Sequence, residues 1–509
     1  MIILLLLLVT SMIISVLFYI KKIYKRKKSK ELLIFSRYPT PGTTKTRLIP
    51  ELGEDGAAHA QLLLTNHILD NVEQYSTKDE DVATIVYYNG GTDKQMRYWL
   101  GKRKCDLSWQ KQASGGLGVK LSSAFKDSFN RGSKYTVIIG SDIPGINHRV
   151  ISEAYQKLQN GSSMVLGPAA DGGYYLVGIS KAVYPKLDEV FTDITWGTET
   201  VFKEQYEKAK SLEIPLETLE TVLHDIDEPE DLHFMETVLR LNKSQLISPK
   251  LSIIIPVYNE ADNIFTTLQT VVQNCINPKL LAEIIVSDGG STDDTISIVE
   301  KFAKTTDINV TVVSSPPGRG YQLKYGTQHA TGDHLMFLHA DTKVPKSFDQ
   351  SIVKCLRLPG NVAGAFEFSL DVLEIPERKK EVSTWFLWKM KFLALWTRIR
   401  VRNFELPYGD QILFTTRQNY DRIGGFKQVY LMEDFMLVQD LRKIGHIGIA
   451  DARPAITSSR RWEKWGLIRV TGLNNFIVLA YKLGVSPDTL AEWYYGDKLK
   501  DIKKRSKEP

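Results

Sequence analysis

"HLMFLHAD", residues 334–341, decides how this chain is read. Leu335 to Leu338 form an unbroken apolar run that stops on His339-Ala340-Asp341. A short apolar run bounded by polar residues predicts a strand buried on both faces. Two further runs end alike, "VIIGSD" on Asp142 and "EIIVSD" on Asp288. One such ending is ordinary, since Asp favours turns. Three in similar contexts point to carboxylates gathered where strands end.

Around these runs the chain reads as two halves built on one plan. The first opens with "ELLIFSRYP" (31–39) and continues with "ATIVYY" (83–88), "YTVIIGSD" (135–142) and "SMVLGPA" (163–169) as strands. The second opens with "KLSIIIPVYNE" (250–260) and continues with "AEIIVSD" (282–288), "VTVVSS" (310–315) and residues 334–341. "NIFTTLQTVVQNC" (263–275) and "TISIVEKFAKT" (295–305) read as helices between strands. Alternating strands and helices predict an α/β fold with mainly parallel, Rossmann-like sheets. The polar, Pro-containing stretch 244–249 predicts a linker, leaving domains over 31–243 and 250–495. In such sheets ligands bind at the carboxyl ends of strands, where the three aspartates lie.

Hydrophobic residues make up 43% of the 509 and charged residues 24%, ordinary for a globular protein. The net charge of +6 arises from the seven Lys and Arg in "KKIYKRKKSK" (21–30), and the rest is close to neutral. A nucleic-acid partner is therefore not expected. Met1–Ile20 has no charged side chain and is as long as a bilayer-crossing helix. Its basic flank follows the apolar run, which predicts a retained single-pass membrane anchor with residues 21 onward on the cytosolic face. The basic segment would then meet anionic lipid. Residues 496–509 read as a solvated basic tail. The three cysteines lie far apart, so neither a disulfide framework nor a zinc site is expected.

A nucleoside diphosphate leaving group calls for a divalent cation, and Mg²⁺ or Mn²⁺ needs one or two carboxylates besides the phosphates. Asp341 meets that demand. His339, two residues earlier, is either a ligand, better suited to Mn²⁺, or a hydrogen-bonding neighbour. Asp288 precedes "GGSTDDT", where Gly289 and Gly290 permit close backbone approach. Together "IIIPVYNE" (253–260), "VSDGGSTDDT" (286–295), "FLHADT" (337–342) and "MEDFML" (432–437) resemble the inverting GT-A glycosyltransferases of family 2. "GRGYQLKYG" (318–326), "PYGDQILF" (407–414) and "SSRRWEKWG" (458–466) resemble the subgroup associated with radical-SAM and selenodomain proteins. The resemblance implies a GT-A-like fold and a donor site formed by Pro256, Asn259, Glu260, Asp288, Gly289 and Arg319. It implies Asp341 as metal ligand, Asp434 as the base for the acceptor hydroxyl, and Arg461 and Trp462 closing over the donor diphosphate. One departure is that His339 stands where the first Asp of a D-x-D element is usual.

"STWFLWKMKFLALWTRIRVRNF" (383–404) repeats aromatic and aliphatic residues at helical spacing among five basic residues and no acid. It reads either as a core helix or as one lying on a membrane surface.

In the first half, "RYPTPGTTKTRLIPELG" (37–53) places Lys45 and Arg47 after a strand, where they suit phosphate oxygens. With "GSDIP" (140–144), "GPAADGGYYLVG" (167–178) and "HDIDEPEDL" (224–232), the order resembles DUF2064, a GT-A-like family related to nucleotidyltransferases. That implies Lys45 and Arg47 on phosphates, Asp142 and Asp227 as metal ligands, and Asp171 in the substrate pocket. Gly116 and Lys120 depart from the pattern, which usually has Asp and Arg there.

The expectation is a membrane-anchored enzyme whose second domain transfers a sugar from a nucleotide-sugar donor to an acceptor hydroxyl, using Mg²⁺ or Mn²⁺. The first domain would be a nucleotidyl- or glycosyltransferase. Two alternatives stay open: a nucleotidyltransferase with a non-catalytic second half, or a non-catalytic membrane scaffold.

Overall fold

Leu32, Leu33 and Ile34 of the first apolar run are fully buried, and so are Ile253, Ile254 and Ile255 of the second. Each run is an interior strand, third in order, of a seven-stranded sheet. The computed structural model describes residues 28–103 and 107–505. The expected anchor (1–20), most of the basic segment 21–30, Cys105 and the end of the basic tail lie outside the described residues. Among the described residues no helix is long and apolar enough to cross a membrane.

The described chain divides into two units, 28–91 with 107–241, and 92–103 with 242–505. The segment expected as a linker contains a short helix, Lys243–Ile247, started by an Asn242 capping box that satisfies the free N–H groups of its first turn.

The first sheet consists of β1 (Lys30–Arg37), β2 (Val82–Asn89), β3 (Leu107–Lys111), β4 (Tyr135–Gly140), β5 (Met164–Pro168), β6 (Tyr174–Ser180) and β7 (Leu216–Thr218). Its order is β3-β2-β1-β4-β6-β5-β7, with β6 antiparallel to both neighbours and the other pairs parallel. The second large sheet consists of β8 (Leu251–Val257), β9 (Leu281–Asp288), β10 (Val310–Ser314), β11 (His334–Phe337), β13 (Asn361–Ala365), β15 (Leu413–Thr416) and β16 (His446–Ile449). Its order, β10-β9-β8-β11-β15-β13-β16, repeats the first, again with one reversed strand, β15. The two halves therefore share one topology, mixed α/β and parallel-rich.

Alternation along β8 and β11 splits the core of the second unit. Ile253, Ile255, Met336 and Leu338 face one cluster with Phe348 and Phe366, while Ile254, Leu335 and Phe337 face another with Phe426 and Leu437. Both faces are covered by helices, which is why these strands read as continuous apolar runs.

The shared topology sorts the three aspartates into two kinds. Asp142 and Asp341 follow β4 and β11, the fourth strand of their units, whereas Asp288 ends β9, a second strand. The counterpart of β9 in the first unit, β2, ends on Asn89. β11 is shorter than expected and stops at Phe337, although the Leu338 N–H still donates to Ile254 O at 3.0 Å.

A small third sheet, β12 (Thr342–Lys343), β14 (Phe368–Leu370) and β17 (Ala455–Thr457), holds the site together. Thr342 is paired with Thr457. That register carries the chain just after Asp341 alongside the chain just before Arg460.

Candidate active site

In the second unit the side chains come from the loops after β8, β9 and β11 and from three helix starts, at Arg319, Glu433 and Arg460. Gly409 lies between two of these side chains. Its N–H donates to Asp434 Oδ2 at 2.8 Å, and a Cβ built on it would fall 2.7 Å from His339 Nε2. Only glycine fits that approach. Asp434 sits in the first turn of the helix Glu433–Arg442, where the N-terminal dipole favours a carboxylate, and its Oδ1 also accepts from Phe435 N at 2.6 Å.

Burial, then the Arg319 guanidinium, push the His339 imidazole down to about 3, so the ring is neutral. Its Nε2 lies 3.4 Å from Arg319 Nη1. Of the two expected roles for His339, this geometry is that of a hydrogen-bonding neighbour. Arg319 Nε also pairs with Glu433 Oε1 at 3.1 Å, and burial raises the Glu433 carboxyl well above its usual range.

Arg460 Nη2 lies 3.7 Å from both Glu260 Oε2 and Asp341 Oδ2. Glu260 is raised by burial first, then loses part of that shift to a hydrogen bond from Asn263; the Asp341 charge raises it further. Asp341, Glu260 and Arg460 form one group and Arg319, His339 and Asp434 another, and the charges of both Asp341 and Asp434 act on the Arg319 guanidinium.

The remaining expected residues divide. Asp288 is buried, and its carboxylate caps its own loop, accepting from Gly290 N at 3.1 Å and from Ser291 N and Oγ at 3.0 and 2.6 Å. Asn259, in the left-handed region at φ 54°, accepts from Thr292 N at 2.8 Å and so ties the two loops together. Pro256 is buried within β8 opposite Ser287, and Gly289 N bonds Val257 O at 3.0 Å. The Arg461 guanidinium lies over the Tyr494 ring, 5.4 Å from the centroid, and feels the charges of Arg319 and Asp410. Trp462 turns inward against Phe368, and its buried Nε1 has no partner. Of the "RRW" trio, Arg460 lies beside Asp341.

Three residues here were not singled out in the sequence: Asp410, Glu433 and Arg460. Asp410 is half-buried, and its buried Oδ1 has no hydrogen-bond partner among the described residues. Burial pushes its carboxyl up to about 6, against the pull of Arg400, and Asp434 and Asp341 raise it further. The signal was its position, a Gly-Asp pair just before a central strand.

No group of three or more His, Cys, Asp or Glu among the described residues is arranged to hold a metal. A divalent cation here would draw on Asp341 and complete its shell from donor phosphates, as Mg²⁺ commonly does.

The first unit has its own site, a cavity of about 620 Å³ lined by Lys45, Arg47, Lys120, Asp142, Asp171, Asp225 and Asp227. Lys45 adopts a left-handed backbone conformation (φ 49°) and is 5% exposed. Its ammonium lies 2.9 Å from Asp142 Oδ2 and 2.6 Å from Asp227 Oδ1. The residue expected on phosphate therefore sits between the two expected metal ligands. Arg47 is exposed and paired with Glu228 at 2.9 Å. Asp171 caps Gly173 N at 2.9 Å. Asp225, also not singled out, is pushed up to about 6 by burial and then by Asp171. A Cβ on Gly116 would meet nothing within 4 Å, so that departure is no backbone requirement.

Comparison with known proteins agrees with the two-part reading. Residues 73–198 match the family model "Uncharacterized protein conserved in bacteria (DUF2064)", and residues 252–422 match "Glycosyl transferase family 2". YdaM of Bacillus subtilis strain 168, assigned as a glycosyltransferase, is 29% identical over 43% of this chain and 52% of its own. The undecaprenyl-phosphate 4-deoxy-4-formamido-L-arabinose transferase of Proteus mirabilis strain HI4320 is 29% identical over 27% of this chain and 39% of its own. A crystal structure from Desulfovibrio desulfuricans G20, assigned as a nucleotide-diphospho-sugar transferase, is 27% identical over 43% of this chain and 97% of that one, with a TM-score of 0.37. The chain spans about half or less of the length of these curated relatives. The two family models match one in each half of the chain, in the order the motifs implied.

Proposed function

We propose that the second unit transfers a sugar from a nucleotide-sugar donor to an acceptor hydroxyl with inversion. The observation that carries this is that Asp341, beside Arg460, and Asp434, held by Gly409, both act on the one Arg319 guanidinium. The family 2 match over residues 252–422 supports the same reaction class. Asp434 accepts the acceptor's proton, held in orientation by the Gly409 N–H. Arg319 and Arg460 offset the charge that grows on the leaving diphosphate. A divalent cation on Asp341 would supply further charge neutralisation there. Asp288, Asn259 and Glu260 shape the loops that receive the nucleotide.

For the first unit we propose nucleotidyl transfer, supported by its basic and acidic cavity, with the product passed to the second unit as donor. Met1–Ile20 anchors the chain in a membrane, and the catalytic units lie on its cytosolic face; the basic flank after the apolar run supports this.

The test is a panel of UDP- and GDP-sugars with the full chain in detergent and Mg²⁺ or Mn²⁺, read as release of nucleoside diphosphate. Turnover of at least one donor, lost by on the order of 10²–10⁴-fold in Asp434→Asn with donor binding kept, is expected. Full turnover in Asp434→Asn overturns the base assignment. Inversion is read from the product's anomeric NMR signal. An NTP and a sugar phosphate given to Asp434→Asn tests the first unit, which should still release pyrophosphate.

A further inference from the structure

The helix Thr384–Phe404 has two apolar stripes rather than one. The inner stripe, Met390, Leu393, Thr397 and Val401, is buried, and its Met390 and Leu393 pack with Phe368, Leu370 and Val372. The outer stripe is not covered. Trp385 and Trp388 are each 66% exposed, followed by Phe392, Leu395, Trp396 and Ile399. At about 100° per residue these six fall within an arc roughly 100° wide, opposite the packed face. The expected alternatives, core or surface, are therefore both present, one on each side.

The basic residues lie along both flanks of the outer stripe. Lys389 and Arg400 fall on one side, and Lys391, Arg398 and Arg402 on the other, with no acid in the helix. Glu367 pairs with Arg398 and Arg402 at 2.8 and 2.5 Å, and Lys389 lies over the Trp385 ring. Apolar exposure also occurs at the start of the helix Leu467–Lys482. Trp462 and Leu467 join the same inner core, and the following residue, Ile468, is 87% exposed.

We propose that this outer face is a membrane-contacting surface, seated in the headgroup layer of a bilayer containing anionic lipid. Tryptophan belongs at that depth, and flanking Lys and Arg meet lipid phosphates. The helix lies on the bilayer rather than crossing it, because its inner face is already packed in protein. Charge decides between occupants. A second copy of this chain would set basic flank against basic flank. The uncharged segment 1–20 would cover the aromatics and leave Lys389 and Lys391, one on each flank, unmatched, whereas Arg398 and Arg402 pair with Glu367 and Arg400 bonds Leu406 O and Gln411. Anionic lipid satisfies both. The inference does not depend on the transferase reading.

The full chain is reconstituted into phosphatidylcholine vesicles with or without phosphatidylglycerol, using acyl chains brominated to quench tryptophan. Quenching is expected in the wild type and should be largely lost in Trp385→Phe/Trp388→Phe/Trp396→Phe, which keeps apolar contact but removes the reporters. It should also depend on phosphatidylglycerol, and Lys389→Glu/Lys391→Glu should abolish that dependence. Equal quenching in the wild type and the triple variant overturns the proposal, since a membrane anchor elsewhere would give that result. So does concentration-dependent tryptophan shielding without bromine quenching, which would identify a second copy as the occupant.

Discussion

The Gly409 N–H donates to Asp434 Oδ2 at 2.8 Å, while the space where a Gly409 side chain would stand is filled by the His339 ring. A hydrogen bond and a close packing contact at one residue thus fix a carboxylate and an imidazole from distant parts of the chain. Gly409→Ala would place a Cβ 2.7 Å from His339 Nε2 and 3.4 Å from Asp434 Oδ2. Displacement on that scale is expected to lower turnover on the order of a hundredfold, with the circular dichroism spectrum unchanged. Unaltered turnover would mean that Asp434 is not positioned by Gly409.

Asp410 gives a pH prediction. Its carboxyl is raised from 3.8 to about 6 by burial, so the folded state binds more protons than the unfolded chain between those values. Stability therefore falls as pH rises through that window, by about 3 kcal/mol in total. Asp410→Asn should remove this slope and raise the melting temperature at pH 7, at a cost in activity. Denaturant melts from pH 4 to 7 with parallel slopes for wild type and variant would refute it.

Lys45 is the cation held by Asp142 and Asp227 in the first unit. Lys45→Met leaves those partly exposed carboxylates unbalanced and should cost about 1 kcal/mol. Added Mn²⁺ should restore much of the loss by binding the freed pair, measurable by thermal melting and by the Mn²⁺ EPR signal. A variant that neither loses stability nor takes up Mn²⁺ would show that the ammonium does not hold the pair.

Arg460 and Arg461 separate by function despite adjacency. Arg460→Ala, which strips the charge beside Glu260 and Asp341, should weaken donor binding about tenfold by titration calorimetry. Arg461→Ala should affect donor binding less, because its guanidinium lies over Tyr494. The reverse ranking would mean that the second arginine swings to the donor.

Much of the fold was legible because strands covered on both faces leave an unbroken apolar signal. The runs 31–39, 83–88, 250–260 and 282–288 were read as strands, and strands occupy Lys30–Arg37, Val82–Asn89, Leu251–Val257 and Leu281–Asp288. The family 2 site was legible where motifs follow strand ends, as at Asp288 and Asp341. Asp410 and Arg460 were harder to see, since neither ends a strand and each enters the site through pairing set elsewhere. Arg460 reaches Asp341 because Thr342 pairs with Thr457 across more than a hundred residues of chain. Trp462 looked like a lid beside a charge pair, but the helix Arg460–Trp465 turns it onto Phe368.

The sequence alone determined the two α/β halves, their order, and the carboxylates at strand mouths, because periodicity and turn chemistry are local. Tertiary structure decided which of those groups come together. It turned His339 toward Arg319, set Lys45 between two aspartates, and left one stripe of residues 384–404 uncovered. Those outcomes depend on register and packing between segments far apart in the chain, and no local pattern of residues carries that information.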